Sequence, residues 1–182
     1  FDTRPAVEEQ VRSLGAKFVK IDLGSTGQTA GGYAQALSPA QIARQQAGMA
    51  KICAQSDIVI TTARVFGKRA PRLITAAMLA GMKPGSVVVD IAIDSGGNVE
   101  GSRPGQDTVT ANHVTLIGHP CLESTVAHHA TQVLAANFAA WLTHFWDDKA
   151  RVLRLDPPDE ILRGCLLTHG GAIVHPQFAP KP

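Results

Sequence analysis

A doubly wound α/β fold, with helices packed against a mostly parallel sheet, is what three observations predict. Ser86 to Ile93 (SVVVDIAI) and His113 to Gly118 (HVTLIG) are near-continuous apolar runs, and Asp57 to Thr62 (DIVITT) is rich in β-branched residues. Continuous rather than alternating apolarity predicts strands buried on both faces. These runs alternate with helical patterns, the order that produces parallel strands. The composition agrees: 45% of the residues are hydrophobic and 18% charged, which supports a buried core and excludes disorder. At 182 residues the chain supplies one sizeable core, or one domain and an appendage.

Each element has its own warrant. Phe1 to Pro5 reads as a strand end bearing an acidic residue, followed at once by a helix with Pro5 in its first turn, where a missing N–H is harmless. Val7, Val11 and Leu14 recur at helical spacing, and Gly15 is a plausible stop. Ala16 to Asp22 (AKFVKID) predicts a short strand. Ser38-Pro39-Ala40-Gln41 is a capping box with Pro at the first helical position, opening a helix to about Gln55. Pro71 to Met82 predicts a short helix ended by Gly81. From Ser124 to about Trp146 a long helix places Val126, Ala130, Val133, Leu134, Phe138, Trp141, Leu142 and Phe145 on one stripe, which predicts a core-facing side. Two apolar runs, LRGCLLT and AIVHP, flank His169-Gly170-Gly171 and predict a β-hairpin.

Several functions find little support. The formal net charge is only +2, aromatics make up 5%, and no basic stretch alternates with stacking residues, so nucleic acid is not an expected partner. Cys53, Cys121 and Cys165 form no CxxC pair and are odd in number, which predicts free thiols. No apolar run approaches the roughly 18–20 residues that cross a bilayer. The seven histidines show no ligand spacing: His128 and His129 are adjacent, and point about 100° apart on a helix. No Ser, Cys or Lys has the neighbours a nucleophile needs, so no catalytic side chain and no metal is expected.

Two features suggest a ligand. In a dinucleotide-binding unit an acidic residue about 20 residues after the Gly-rich turn ends the second strand and binds the adenosine ribose. Asp2 is placed like that residue, with Arg4 beside it; the alternative is an exposed Asp favoured by a helix N-terminus. Gly24 to Tyr33 is a stretch of small residues ending in the chain's one Tyr, suited either to a lid or to a plain flexible loop. With Asp2 read in this way, the chain is expected to be a piece of a longer nucleotide-binding protein.

The segment TTARVFGKRAPRLITAAMLAGMKPGSVVVDIAIDSGGNVE resembles the α subunit of proton-translocating nicotinamide nucleotide transhydrogenase. That family reads TTAxxxGxxAPxLIT and then MKxGSVxVDxAxxxGGN. The opening FDTRPxVxEQVxSLGAKF, the loop ending GGYA and the terminal GAIVHP match it too, the last separating transhydrogenases from the related alanine dehydrogenases. The resemblance runs from Phe1 to about His175.

The resemblance implies a Rossmann-type doubly wound sheet lacking its first βα unit. Residues 1–123 would be the NAD(H)-binding domain, and residues 124–182 a helix and tail returning to a second domain. The usual strand order, 3-2-1-4-5-6, would leave two half-sheets with exposed apolar edges. The implied activity is direct hydride transfer between NAD(H) here and NADP(H) on a partner component, coupled to proton movement through a membrane component. A homodimer and a cytoplasmic location at the inner membrane, held there by those partners, are implied as well. Carried over by position, Asp2, Thr3 and Arg4 stand at the ribose-binding strand end, and Gly32 and Tyr33 on the loop that folds over the nucleotide. Gln45 matches a nucleotide-contacting Gln, and Arg64 a contact position that is usually apolar. The family's nicotinamide-side Arg, Gln and Asp would lie upstream of Phe1. Where the family reads close to HTNVPSRVA, this chain has His119-Pro120-Cys121-Leu122-Glu123-Ser124-Thr125-Val126-Ala127, so placement of the nicotinamide is in question. The rival readings are an alanine-dehydrogenase-like amino-acid oxidoreductase and a non-catalytic NAD-binding relative.

Overall fold

A computed structural model describes residues 1–29, 34–65, 67–155 and 159–178. The chain forms two compact units, Phe1–Leu122 and Glu123–Pro182.

In the first unit, helix α1 (Ala6–Ser13) begins after Pro5 and ends before Gly15, whose φ of 79° turns the chain out of the helix. Helix α2 (Pro39–Gln55) starts as the sequence predicts: Ser38 Oγ accepts the Gln41 amide at 3.4 Å, and Gln41 Oε1 accepts the Ser38 amide at 2.9 Å. Then follow β1 (Ile58–Thr61), α3 (Ala76–Ala80), β2 (Val87–Asp90), β3 (Gln106–Val109) and β4 (Thr115–Gly118). The sheet order is β1-β2-β4-β3, with β1, β2 and β4 parallel and β3 antiparallel to β4. Val88 opposite Leu116 fixes the register of the buried face. Helices α2 and α3 cover that face. Cys53, Ile74, Met78, Leu79, Met82, Val88, Val99, Val114 and Leu116 form one core cluster beneath them. Burying such side chains contributes about 1.5–3 kcal/mol each for the larger ones.

The structure corrects several expectations. The sheet is not buried on both faces: Val87, Val89 and Ile117 are half-buried, and Ile58 and Ile60 on edge strand β1 are 66% and 60% exposed. Phe1-Asp2 and Ala16 to Asp22 form no strands, because no described strand runs beside them to complete a ladder. Their half of the expected sheet does not form. Instead, the later residues of that segment lie along α2, where Gln41 Nε2 donates to the carbonyls of Leu23 and Ser25 and Ile21 packs over Gly48. Helix α3 is shorter than predicted. The Leu73 and Ile74 amides donate to the Asn98 carbonyl at 2.8 and 3.0 Å, so the chain becomes helical only after Thr75, which caps α3. Strand β3 carries no sequence signal of its own; QDTV is polar and gains its strand form from pairing with β4.

In the second unit a 3-10 turn (Leu122–Val126) leads into α4 (Ala127–Phe145). Short strands β5 (Trp146–Asp147) and β6 (Val152–Leu153) pair next, followed by α5 (Glu160–Cys165) and the hairpin β7 (Thr168–His169) with β8 (Ala172–Ile173). The hairpin turns at Gly170-Gly171, both at positive φ, as the sequence predicts. LRGC is not included in it. Asp159 accepts the Ile161 and Leu162 amides and so starts a helix there. The α4 stripe is not core: Val126, Val133, Leu134, Phe138 and Leu142 are exposed, and only Phe145 is buried, against Trp141. An apolar stripe identifies the side of a helix suited to burial, but covering it takes a partner element.

Candidate functional site

A cleft of about 320 Å³ opens where the start of the chain meets the segment ahead of α2. Asp2, Thr3 and Arg4 line it together with Phe18, Ile21, Leu23 and Thr26. The three candidate residues at the chain start are thus brought to one place. Arg4 grips Asp2 from two directions: its amide and Nε donate to Oδ1 at 2.8 and 3.0 Å, and Nη2 donates to Oδ2 at 2.8 Å. Burial pushes the Asp2 pKa up, but the hydrogen bonds from Arg4 and its positive charge outweigh burial and hold the carboxyl below its usual value. Thr3 contributes its backbone, its carbonyl accepting the Thr26 hydroxyl at 2.8 Å and tying the two sides of the cleft together.

The other candidates lie elsewhere. Gln45 is buried on α2, 9% exposed, and does not line the cleft. Gly32 and Tyr33 fall outside the described residues. Arg64 follows β1 at the carboxyl edge of the parallel sheet, where α/β sheets take their ligands. Its guanidinium donates to the Ile91 carbonyl and pairs with Asp94 at 2.7 Å. On the turn after β4, His119 meets Asp107 at 2.9 Å, and Cys121 is exposed with φ 56°, a left-handed backbone uncommon outside Gly, Asn and Asp.

The same edge holds two residues that sequence reasoning missed. Asp90, at the end of β2, is 1% exposed and accepts three amides, from Ala92 and Asn98 on Oδ1 and from Val99 on Oδ2. Asn98 is fully buried and joins Ala63 to Pro71 through its side-chain amide. The signal was an Asp inside an apolar strand and an Asn after two glycines; neither residue type points to chemistry until the fold shows what it holds.

A sequence model described as alanine dehydrogenase/PNT, C-terminal domain, matches residues 1–176. The chain belongs to this family. Among the relatives of the alanine dehydrogenase/PNT domain, an NAD(P) transhydrogenase alpha-subunit polypeptide of Rhodospirillum rubrum is 41% identical over 96% of this chain and 46% of its own length. NAD(P) transhydrogenase subunit alpha of Cereibacter sphaeroides is 39% identical over 97% of this chain and 34% of its own. Alanine dehydrogenase of Mycobacterium tuberculosis is 44% identical, but over 43% of this chain only. The crystal structure of transhydrogenase from Sinorhizobium meliloti superposes with a TM-score of 0.65 at 38% identity, covering 97% of this chain and 42% of that one. An L-alanine dehydrogenase structure gives 0.53 at 30% identity, covering 72% of this chain. The chain therefore spans less than half the length of these transhydrogenase relatives. Its mixed α/β architecture with a parallel sheet is that of the Rossmann-like domains of this family. Among the described residues no helix is long and apolar enough to cross a membrane.

Proposed function

We propose that this domain is the NAD(H)-binding portion of a nicotinamide nucleotide transhydrogenase α subunit. One observation carries the choice within the family: transhydrogenase relatives match along 96–97% of the chain, whereas the alanine dehydrogenase match covers 43%. In this reading hydride passes directly to NADP(H) on a partner component, coupled to proton movement through a membrane component. The parent would be a homodimer held at the cytoplasmic side of the inner membrane by those partners.

The residues of the cleft suit the ribose end of a dinucleotide. Among the described residues, Oδ1 of Asp2 accepts two hydrogen bonds and Oδ2 one, which suits Oδ2 to a hydroxyl donor. With Arg4 engaged, the Asp2 carboxylate is left to take one ribose hydroxyl. Because Arg4 keeps it ionised, the carboxylate would repel a 2′-phosphate. NAD(H), when bound, supplies a transferable hydride on its nicotinamide ring. The chain's task is to fix the nucleotide and exclude water, effects of proximity and gating that need no acid or base at the exchanging carbon. Arg64 and Gln45 are proposed to contact the nucleotide away from Asp2, and Gly32 and Tyr33 to close over it.

Fluorescence titration of NADH and NADPH tests the assignment. NADH is expected to bind more tightly, and Asp2→Ala to narrow the difference; equal or tighter binding of NADPH by the unmodified protein would remove Asp2 from the site. A second reading, a non-catalytic NAD-binding relative, is favoured by the turn at Cys121, which departs from the family where the nicotinamide would lie. Single-turnover hydride transfer to an NADP analogue on the partner component separates the two.

A further inference from the structure

Asn98 is fully buried, yet every polar atom of its side chain is engaged with backbone from outside its own turn. Its Oδ1 accepts the Ala63 amide at 3.0 Å, and its Nδ2 donates to the carbonyls of Ala63 at 2.9 Å and Pro71 at 2.7 Å. One side chain thus pins both ends of the loop 63–71. Asn98 is itself held by Asp90, whose carboxylate accepts the Asn98 and Val99 amides at 3.1 and 3.0 Å. The turn after β2 and the loop after β1 are therefore locked together at the carboxyl edge of the sheet. The loop carries Arg64, and the turn carries its ion-pair partner Asp94.

An apolar residue at position 98 would occupy similar volume but leave the Ala63 amide and the Ala63 and Pro71 carbonyls without that partner. Ala63 is half-buried and Pro71 exposed, so these groups would turn to water for the lost partner and the loop ends would shift with them. A fully satisfied buried network does the reverse and imposes one arrangement.

We infer that Asn98 is a positioning residue for nucleotide binding: it holds Ala63 and Pro71, and with Ala63 its neighbour Arg64, in the place that meets the nucleotide. This rests on the function proposed above. The network fixes a ligand-facing loop from behind and touches no ligand itself.

The test compares Asn98→Ala with Val99→Ala. Val99 is equally buried, but its side chain belongs to the hydrophobic core and takes no part in the bonds to the loop. NADH affinity is measured by fluorescence, amide exchange over 62–72 by mass spectrometry, and stability by urea unfolding. Val99→Ala is expected to lower the unfolding midpoint and leave the NADH Kd within roughly twofold. Asn98→Ala is expected to raise the Kd about tenfold, the scale of one lost hydrogen bond, and to speed exchange at Ala63. Unchanged affinity in Asn98→Ala, or equal weakening in both variants, overturns the inference and leaves the functional reading standing. No NADH binding by the unmodified protein overturns both. If Asn98→Ala does not fold, Asn98→Ser, which keeps a smaller polar group, is held to the same comparison.

Discussion

Cys53 sits on α2 at 1% exposure, in the core with Met78 and Val88, and burial pushes its thiol pKa up, against a smaller lowering effect from a backbone hydrogen bond. Cys121 and Cys165 are exposed. A thiol reagent is expected to modify those two in the folded protein and Cys53 only on unfolding; mass spectrometry before and after denaturant checks this, and native modification of all three would contradict the burial. Gly97 shows how tightly the Asp90 network is built. Its φ is 73°, and a Cβ there would stand 2.7 Å from Asp90 Oδ2. Gly97→Ala is therefore expected to destabilise by about 2–4 kcal/mol, combining a left-handed backbone with a disturbed buried carboxylate, as read by urea unfolding. Asp2 gives a pH dependence of definite sign. Its folded pKa lies below the unfolded value of about 3.9, so its contribution is complete above that value and lost as pH falls through the lower folded one. Asp2→Asn should flatten the acid limb of the stability profile and leave its neutral-to-alkaline shape unchanged.

Elements form where local signals and tertiary partners agree. Helix α2 is the clearest case, because Ser38, Pro39 and Gln41 specify its start before any packing occurs. Ser38→Ala is expected to cost about 1 kcal/mol, with the loss confined to α2 in site-resolved hydrogen exchange. Helix α3 shows the opposite balance. Its predicted first residues are drawn into hydrogen bonds with the Asn98 carbonyl, and tertiary bonding overrides helix propensity. The Ala16–Asp22 run has strand composition but no neighbouring strand among the described residues, so it builds no ladder there.

At the scale of the whole molecule the apolar surface is unusual for a monomer. Ile58 and Ile60 on the edge strand are more than half exposed, and so are Val133, Leu134 and Phe138 on α4. An unpaired edge with apolar side chains is a template for association. The 182-residue chain alone is expected to sediment as species larger than its 19.2 kDa, and Ile58→Thr with Ile60→Thr to shift the distribution toward monomer. Analytical ultracentrifugation decides, and a clean monomer at tens of micromolar would overturn the expectation.

The α/β class, the capping box of α2, strands β1, β2 and β4, the α4 helix and the Gly170-Gly171 turn were all legible in the sequence. Each is specified within a few residues by periodicity, capping or turn chemistry. The gathering of Asp2, Thr3 and Arg4 was legible too, because neighbours in sequence stay neighbours in space. What the tertiary structure alone decided depends on distant partners. It sets which face of the sheet is covered, whether the 16–22 run finds a strand beside it, and how far Arg4 occupies the Asp2 carboxylate. It also decides that Asn98 closes on Ala63 and Pro71. A hydrogen bond between residues 35 positions apart leaves no period in the sequence, because only the fold brings its two ends to 3.0 Å.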